Sequence, residues 1–332
     1  MKVFRLYITL FLLSFFGCTC EKESTSQFQE TEAPKINVFF GDPSIMESNG
    51  TYYLYGTGPH SDTGIQVYQS IDLVNWEGPV GATNGFALHE NDVIGDKQYW
   101  APEVYELDGT YYMFFSVQEH LGLATSASPK GPFTQQEQKY MAEYNAIDHH
   151  LFIDDDGTKY IYFVRFTNGN EIWVGELTDE LSIKEETLRP ILHQSQEWEK
   201  SPKDPVGVVN EGPTVVKRDG LYYMVYSANH YASPDYGLGL AYADNPLGPW
   251  TKDEANPFLQ NPEGITGTGH SAFFTDKDEN LYMVYHAHNS YEGVQPRKVF
   301  YNPIEFIPVE GENRYRVQLT EPRVEVLAKQ VN

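Results

Sequence analysis

Short apolar runs alternate with polar breaks along this chain, and the breaks fall at Asn-Gly and Asp-Gly pairs. The fullest example is the stretch 210–227. It opens on Asn210, Glu211, Gly212 and Pro213, continues through Thr214, Val215 and Val216, turns at Asp219-Gly220 and leaves through Leu221, Tyr222, Tyr223, Met224, Val225 and Tyr226. Asp-Gly between two apolar runs predicts a β-hairpin, because glycine takes a positive φ without a Cβ clash. The same order runs from Asp42 to Asn49-Gly50, from Ala101 to Asp108-Gly109 and from Asp148 to Asp156-Gly157, with tyrosine close behind each turn. A fifth copy runs from His270 to Asp278-Glu279, with Glu where the others have Gly.

The turn positions 50, 109, 157, 220 and 279 stand 59, 48, 63 and 59 residues apart. A period of that size, with several short strands in each unit, is the pattern of a propeller blade. The expected fold is therefore all-β: a five-bladed β-propeller, in a single domain over residues 35–332. The first strand of each blade then lines the central axis, so the residues that open those strands converge there. They are Asp42, Glu103, Asp148, Glu211 and His270. Turn formation explains one acidic opening well and five in register poorly. Residues 299–307 and 314–319 are expected to close the ring by pairing with 36–40, which would remove the exposed sheet edges. Among the connections, 193–209 is long enough to shape a pocket rim through Trp198, with a simple surface loop as the equal alternative.

Composition narrows the partners. Aromatic residues make up 14% of the 332, enough apolar area for one large core. A formal charge of −24 argues against nucleic acid or an anionic membrane surface and favours a neutral ligand such as a sugar. Residues 1–18 read as a secretory signal, with Lys2 and Arg5 ahead of an apolar run too short to span a bilayer. Gly17-Cys18 resembles a bacterial lipoprotein cleavage site. Cys18 would then carry the lipid, the only membrane contact, and the polar residues 19–34 would be a tether. The destination would be the periplasm or an outer-membrane anchor, with plain secretion as the alternative. Cys18 and Cys20 are the only cysteines, so the domain must be held by packing rather than disulfides.

Converging carboxyls suggest chemistry. Two of them across a sugar suffice for glycoside hydrolysis, one protonated to donate to the leaving oxygen and one ionised. Trp100 offers a stacking platform for a sugar ring, with a core tryptophan beside Pro102 as the commoner alternative. A Gly-x-Ser nucleophile elbow is absent, and no cysteine lies in the domain.

The segments Asp42-Pro43-Ser44, Trp100-Ala101-Pro102-Glu103, Ile147-Asp148, Asn210-Glu211-Gly212-Pro213 and Gly267-Thr268-Gly269-His270 together resemble glycoside hydrolase family 43, over nearly all of residues 38–307. The resemblance implies an exo-acting, inverting enzyme that releases a terminal sugar from plant-type polysaccharide or oligosaccharide side chains. It points first to an α-L-arabinofuranosidase, next to a β-xylosidase or galactofuranosidase. An inactive sugar-binding propeller is the rival from another class. By the same resemblance Asp42 matches the general base, Glu211 the general acid and Asp148 the third carboxylate, which orients and tunes the acid. His270 matches a histidine that faces a calcium or other ion in the central channel, where water would supply most ligands. A hydrogen-bonded structural histidine is the alternative. Arg297 resembles an arginine that reaches the substrate or the acid. Trp100, Glu103 and Arg297 are the substrate-binding candidates, and no organic cofactor is implied.

Overall fold

The computed structural model describes residues 34–203 and 207–331; the expected signal, the lipid site at Cys18 and the tether through residue 33 lie outside the described residues. The strands form five sheets. Each begins with an inner strand: Gly41–Ser48, Tyr99–Leu107, Ala146–Ile153, Asn210–Arg218 and Gly269–Thr275. Each inner strand returns through a tight hairpin into an antiparallel partner: Thr51–Thr57, Thr110–Val117, Lys159–Phe166, Leu221–Ala228 and Leu281–Ala287. The five inner strands contact one another in cyclic order. The architecture is all-β and propeller-like.

The second strands show why these sequences become strands. Leu221–Ala228 carries apolar side chains on both faces, and strand alternation divides them. Tyr222, Met224 and Tyr226 pack against the third sheet, while Tyr223 and Val225 pack against the fifth. The same division recurs around the ring. Five apolar clusters result, one between each pair of successive sheets, and the cluster holding Val38, Phe40, Trp76, Phe274 and Tyr301 joins the last sheet to the first. Such two-sided strands read as continuous apolar runs, as buried parallel strands do, although these pair antiparallel. Each fully buried Val, Met or Phe adds about 1.5–3 kcal/mol.

Ring closure departs from the sequence expectation. The strand Lys35–Asn37 pairs with Leu327–Gln330, which also runs parallel to Trp76–Gly78. The strands Lys298–Pro308 and Tyr315–Leu319 instead pair with each other inside the fifth sheet. Lys298–Pro308 is flanked by Leu281–Ala287 on one side and by Tyr315–Leu319 and Val324–Glu325 on the other, so it offers no free edge to the N-terminal strand. The residues 193–209 do not bring Trp198 to a pocket rim. Its ring packs against Tyr226, 6.1 Å between centroids, and its Nε1 donates to Gln196 Oε1 at 2.8 Å.

Candidate active site

Each inner strand breaks register at its opening. The breaks fall between Gly41 and Ser44, Trp100 and Glu103, Ile147 and His150, Glu211 and Thr214, and Gly269 and Ala272. At each break one residue takes the left-handed conformation: Asp42 (φ 50°), Ala101 (φ 45°), Asp148 (φ 57°), Gly212 (φ 53°) and His270 (φ 42°). These are β-bulges, which re-aim side chains by adding a residue to one strand. Four of the five bulge residues are not glycine, and each carries strain of about 1–3 kcal/mol. The five bulges make the true register of the ring. Glu103 is therefore two positions past its expected place, and Ala101 is the equivalent of Asp42.

The bulges are tied together around the ring. The N–H of Ala101 donates to Thr57 Oγ1 (2.9 Å), that of Asp148 to Ser116 Oγ (3.0 Å) and that of His270 to Ser227 Oγ (2.8 Å). The N–H of Asp42 donates to His286 Nδ1 at 3.1 Å, closing the ring from the last sheet to the first. Each acceptor sits on the preceding sheet, opposite the residue just before that sheet's own bulge.

One cavity of about 990 Å³ opens over this ring, and Asp42, Trp100, Asp148, Glu211, His270 and Arg297 all line it. Six of the seven candidate residues thus meet. Glu103 does not line it. Its carboxylate is hydrogen-bonded by Tyr105 and faces His150 Nδ1 at 3.0 Å. His150 Nε2 accepts the N–H of Val215 at 3.0 Å, so Nδ1 carries the proton that Glu103 receives.

Asp42 is held as an anion. Arg297 forks across its carboxylate, Nη1 to Oδ1 at 2.8 Å and Nη2 to Oδ2 at 3.3 Å, and Thr57 donates to Oδ2 at 2.6 Å. His270 Nδ1 stands 3.3 Å from Oδ1. Burial on its own would raise the pKa of Asp42, but Arg297, His270, His286 and Thr57 outweigh it and hold the group far below the usual carboxylate range. Arg297 therefore serves Asp42 rather than Glu211. The guanidinium reaches it across Gly41, where a Cβ would stand 1.8 Å from Arg297 Cζ. No other residue fits there.

Glu211 is held the opposite way. Burial lifts its pKa to about 7, with the Asp42 charge adding to the rise and bonds from Tyr236 and Asn170 opposing it. Tyr236 OH donates to Oε1 and Asn170 Nδ2 to Oε2, both at 2.9 Å. Asp148 is also pushed well up, by burial and then by Glu211 and Asp42. The residue ahead of the acid is fixed too. Asn210 lies fully buried, and its Oδ1 accepts from Lys252 Nζ at 3.0 Å. That Nζ also bonds Glu199 Oε1 at 2.5 Å and the carbonyl of His193 at 2.7 Å.

His270 tests the idea of a channel ion. Its pKa is lowered by burial, against the pull of Asp42, so the ring is a neutral nitrogen donor. Its Nδ1 faces Asp42 and, at 3.8 Å, Asp148 Oδ2. Among the described residues no three His, Cys, Asp or Glu side chains converge to hold a metal. Calcium takes six to eight oxygens. An ion beside His270 would therefore draw most of its oxygens from water, as the sequence reading expects.

Thr57, Asn170, Tyr236 and His286 were not among the sequence candidates. Thr57 and His286 had a signal: with Ser116 and Ser227 they stand seven residues past the turn positions 50, 109, 220 and 279. Asn170 and Tyr236 begin or precede third strands, where nothing local marks them.

The similarity to known proteins spans most of the chain. The family model described as glycosyl hydrolases family 43 matches residues 31–308. A β-D-galactofuranosidase of Aspergillus niger is 28% identical over 276 residues, 76% of this chain and 75% of that protein. An extracellular exo-α-(1→5)-L-arabinofuranosidase of Cellvibrio japonicus is 26% identical, over 75% of this chain and 79% of that one. Among solved structures, an endo-1,4-β-xylanase of Bacteroides thetaiotaomicron superposes with a TM-score of 0.81 at 39% identity, covering 89% of this chain and 99% of that chain.

Proposed function

The chain belongs to glycosyl hydrolases family 43, and from that premise we propose that it is an exo-acting, inverting hydrolase that releases terminal α-L-arabinofuranose from oligosaccharide or polysaccharide side chains. The five sheets are taken as five blades around one site. The supporting observation is the opposed protonation of two carboxyls in one cavity: Arg297 and its neighbours keep Asp42 ionised, while burial keeps Glu211 protonated near neutral pH. That is the division of labour glycoside hydrolysis needs. A module that only binds sugar has no use for it.

In this reading Asp42 takes a proton from the water that attacks the anomeric carbon. Glu211 gives its proton to the departing oxygen. As Glu211 becomes an anion, the two donors already aimed at it, Tyr236 and Asn170, strengthen, so charge developing in the transition state meets prepared hydrogen bonds. Trp100, half-buried at the cavity wall, offers a face for the sugar ring.

A galactofuranosidase is the second reading, favoured by the similarity to the Aspergillus enzyme of that name; a β-xylosidase follows. The deciding experiment offers nitrophenyl α-L-arabinofuranoside, β-D-xyloside, β-D-galactofuranoside and β-D-galactoside to the enzyme, with end products of arabinan digestion analysed by size. Arabinofuranoside hydrolysis with free arabinose as the sole early product supports the proposal; preference for another glycoside, or longer early products, overturns it. Export as a lipoprotein is proposed alongside. Loss of membrane association on Cys18→Ser is its test.

A further inference from the structure

In the ring of bulges one position breaks the rule. The residues opposite the pre-bulge positions are Thr57, Ser116, Val164, Ser227 and His286. Four of them accept the N–H of the next bulge. Val164 has no acceptor; its side chain packs between the third and fourth sheets. The bulge it should serve is Gly212, the residue after Glu211. The N–H of Gly212 goes instead to Asp148 Oδ2, at 3.2 Å.

Gly212 has few other means of being held. It is the one bulge residue without a side chain, and a Cβ there would stand 3.1 Å from the His270 ring. Its positive φ is therefore fixed by neighbours alone. A buried N–H left without a partner is destabilising, and here the loss would fall on the backbone that aims Glu211.

We propose that Asp148 is the anchor of the acid-bearing bulge, standing in for the hydroxyl that position 164 lacks. This rests on the reading of Glu211 as the acid. It makes Asp148 a positioning residue through its Oδ2, separately from any effect of its charge on Glu211. The two roles come apart by mutation. Asp148→Asn keeps a carbonyl oxygen that accepts the N–H and loses the ionisable carboxyl. Asp148→Ala loses both. Val164→Thr, nearly equal in volume, puts a hydroxyl where the other sheets have one, so Asp148→Ala with Val164→Thr restores the anchor without the charge.

The experiment measures melting temperature, turnover of a glycoside with a poor leaving group and its pH profile for Asp148→Ala, Asp148→Asn, Val164→Thr and the double variant. The double variant should melt about 2 °C above Asp148→Ala, as one regained hydrogen bond in a chain of this size implies. It should also turn over about tenfold faster, the rate equivalent of about 1.4 kcal/mol. Its alkaline pH limb should stay where Asp148→Ala puts it, because no ionisable group has returned. In the wild-type background Val164→Thr should gain neither stability nor rate. Failure of Val164→Thr to raise both melting temperature and rate in the Asp148→Ala background overturns the proposal. A failure of the acid reading looks different: Glu211→Gln would then keep wild-type turnover of a glycoside with a poor leaving group, whatever the coupling between 148 and 164.

Discussion

Arg297 grips both carboxylate oxygens of Asp42, at 2.8 and 3.3 Å, from a buried position 255 residues further along the chain. A bidentate pair of this kind is strong and geometrically exacting. Remove the guanidinium and burial, which alone raises the pKa of Asp42, loses its main opponent. Arg297→Met should therefore lower kcat/KM by orders of magnitude at acidic pH and move the acid limb of the profile upward. The limb is read from kcat/KM between pH 4 and 8. An unmoved limb shows that Arg297 does not set the ionisation of Asp42.

Glu211 should set the alkaline limb, near its raised pKa of about 7. Glu211→Gln should cut turnover of a poor leaving group severely and spare an activated aryl glycoside. Asn170→Ala should move the limb upward, since the amide favours the ionised form. Stability carries the same signature. Folded Glu211 holds a proton that the unfolded chain releases above its ordinary 4.5, so this group's contribution to stability falls as pH rises from about 4.5 to 7. Glu211→Gln should flatten that slope in thermal melts.

The fold was legible because turns and aromatic strands repeat, and the site because its acids open those strands. The bulges were not. A bulge inserts a residue without altering composition, so Glu103 passed for the partner of Asp42 when Ala101 holds that place. Glu103 instead joins the layer of Ser44, His150, Thr214 and Ala272, two residues deeper, and meets His150 from the next sheet. Asn170 and Tyr236 were invisible for another reason. They reach Glu211 from third strands and loops, whose placement follows from packing rather than from a local pattern.

The buried pair Lys252–Glu199 should be needed for stability more than for chemistry. Lys252→Met leaves Glu199, wholly buried, without its cation. Losing one partner of a buried pair costs about 3–5 kcal/mol. Denaturant unfolding should show that loss, and Glu199→Gln added to Lys252→Met should recover part of it.

Chelation separates the two readings of His270: if the imidazole acts only through its contact with Asp42, hydrolysis and melting temperature stay unchanged while His270→Ala loses activity. Loss on exhaustive chelation, restored by calcium, would mean that the imidazole serves a hydrated ion after all.

Stereochemistry follows from the first and fourth sheets supplying base and acid. A water fits beside the anomeric carbon when the carboxyls stand roughly 6.5–9.5 Å apart, against about 5–5.5 Å for a retaining pair. Proton NMR of the first product, before mutarotation, should show the inverted anomer. A retained anomer would make one carboxylate a nucleophile.

The closing strand Leu327–Gln330 pairs with residues made at the very start of the domain, Lys35 with Lys329 and Asn37 with Leu327. During synthesis the first sheet therefore has to wait. Four later sheets emerge and can pack on their neighbours while Lys35–Asn37 still lacks its partner and the apolar cluster around Trp76 lacks Ala328. An unpaired edge invites association with other chains for as long as it stays open. Between translation of Trp76 and of Ala328 that edge stands open, and removing residues 327–330 would leave it so.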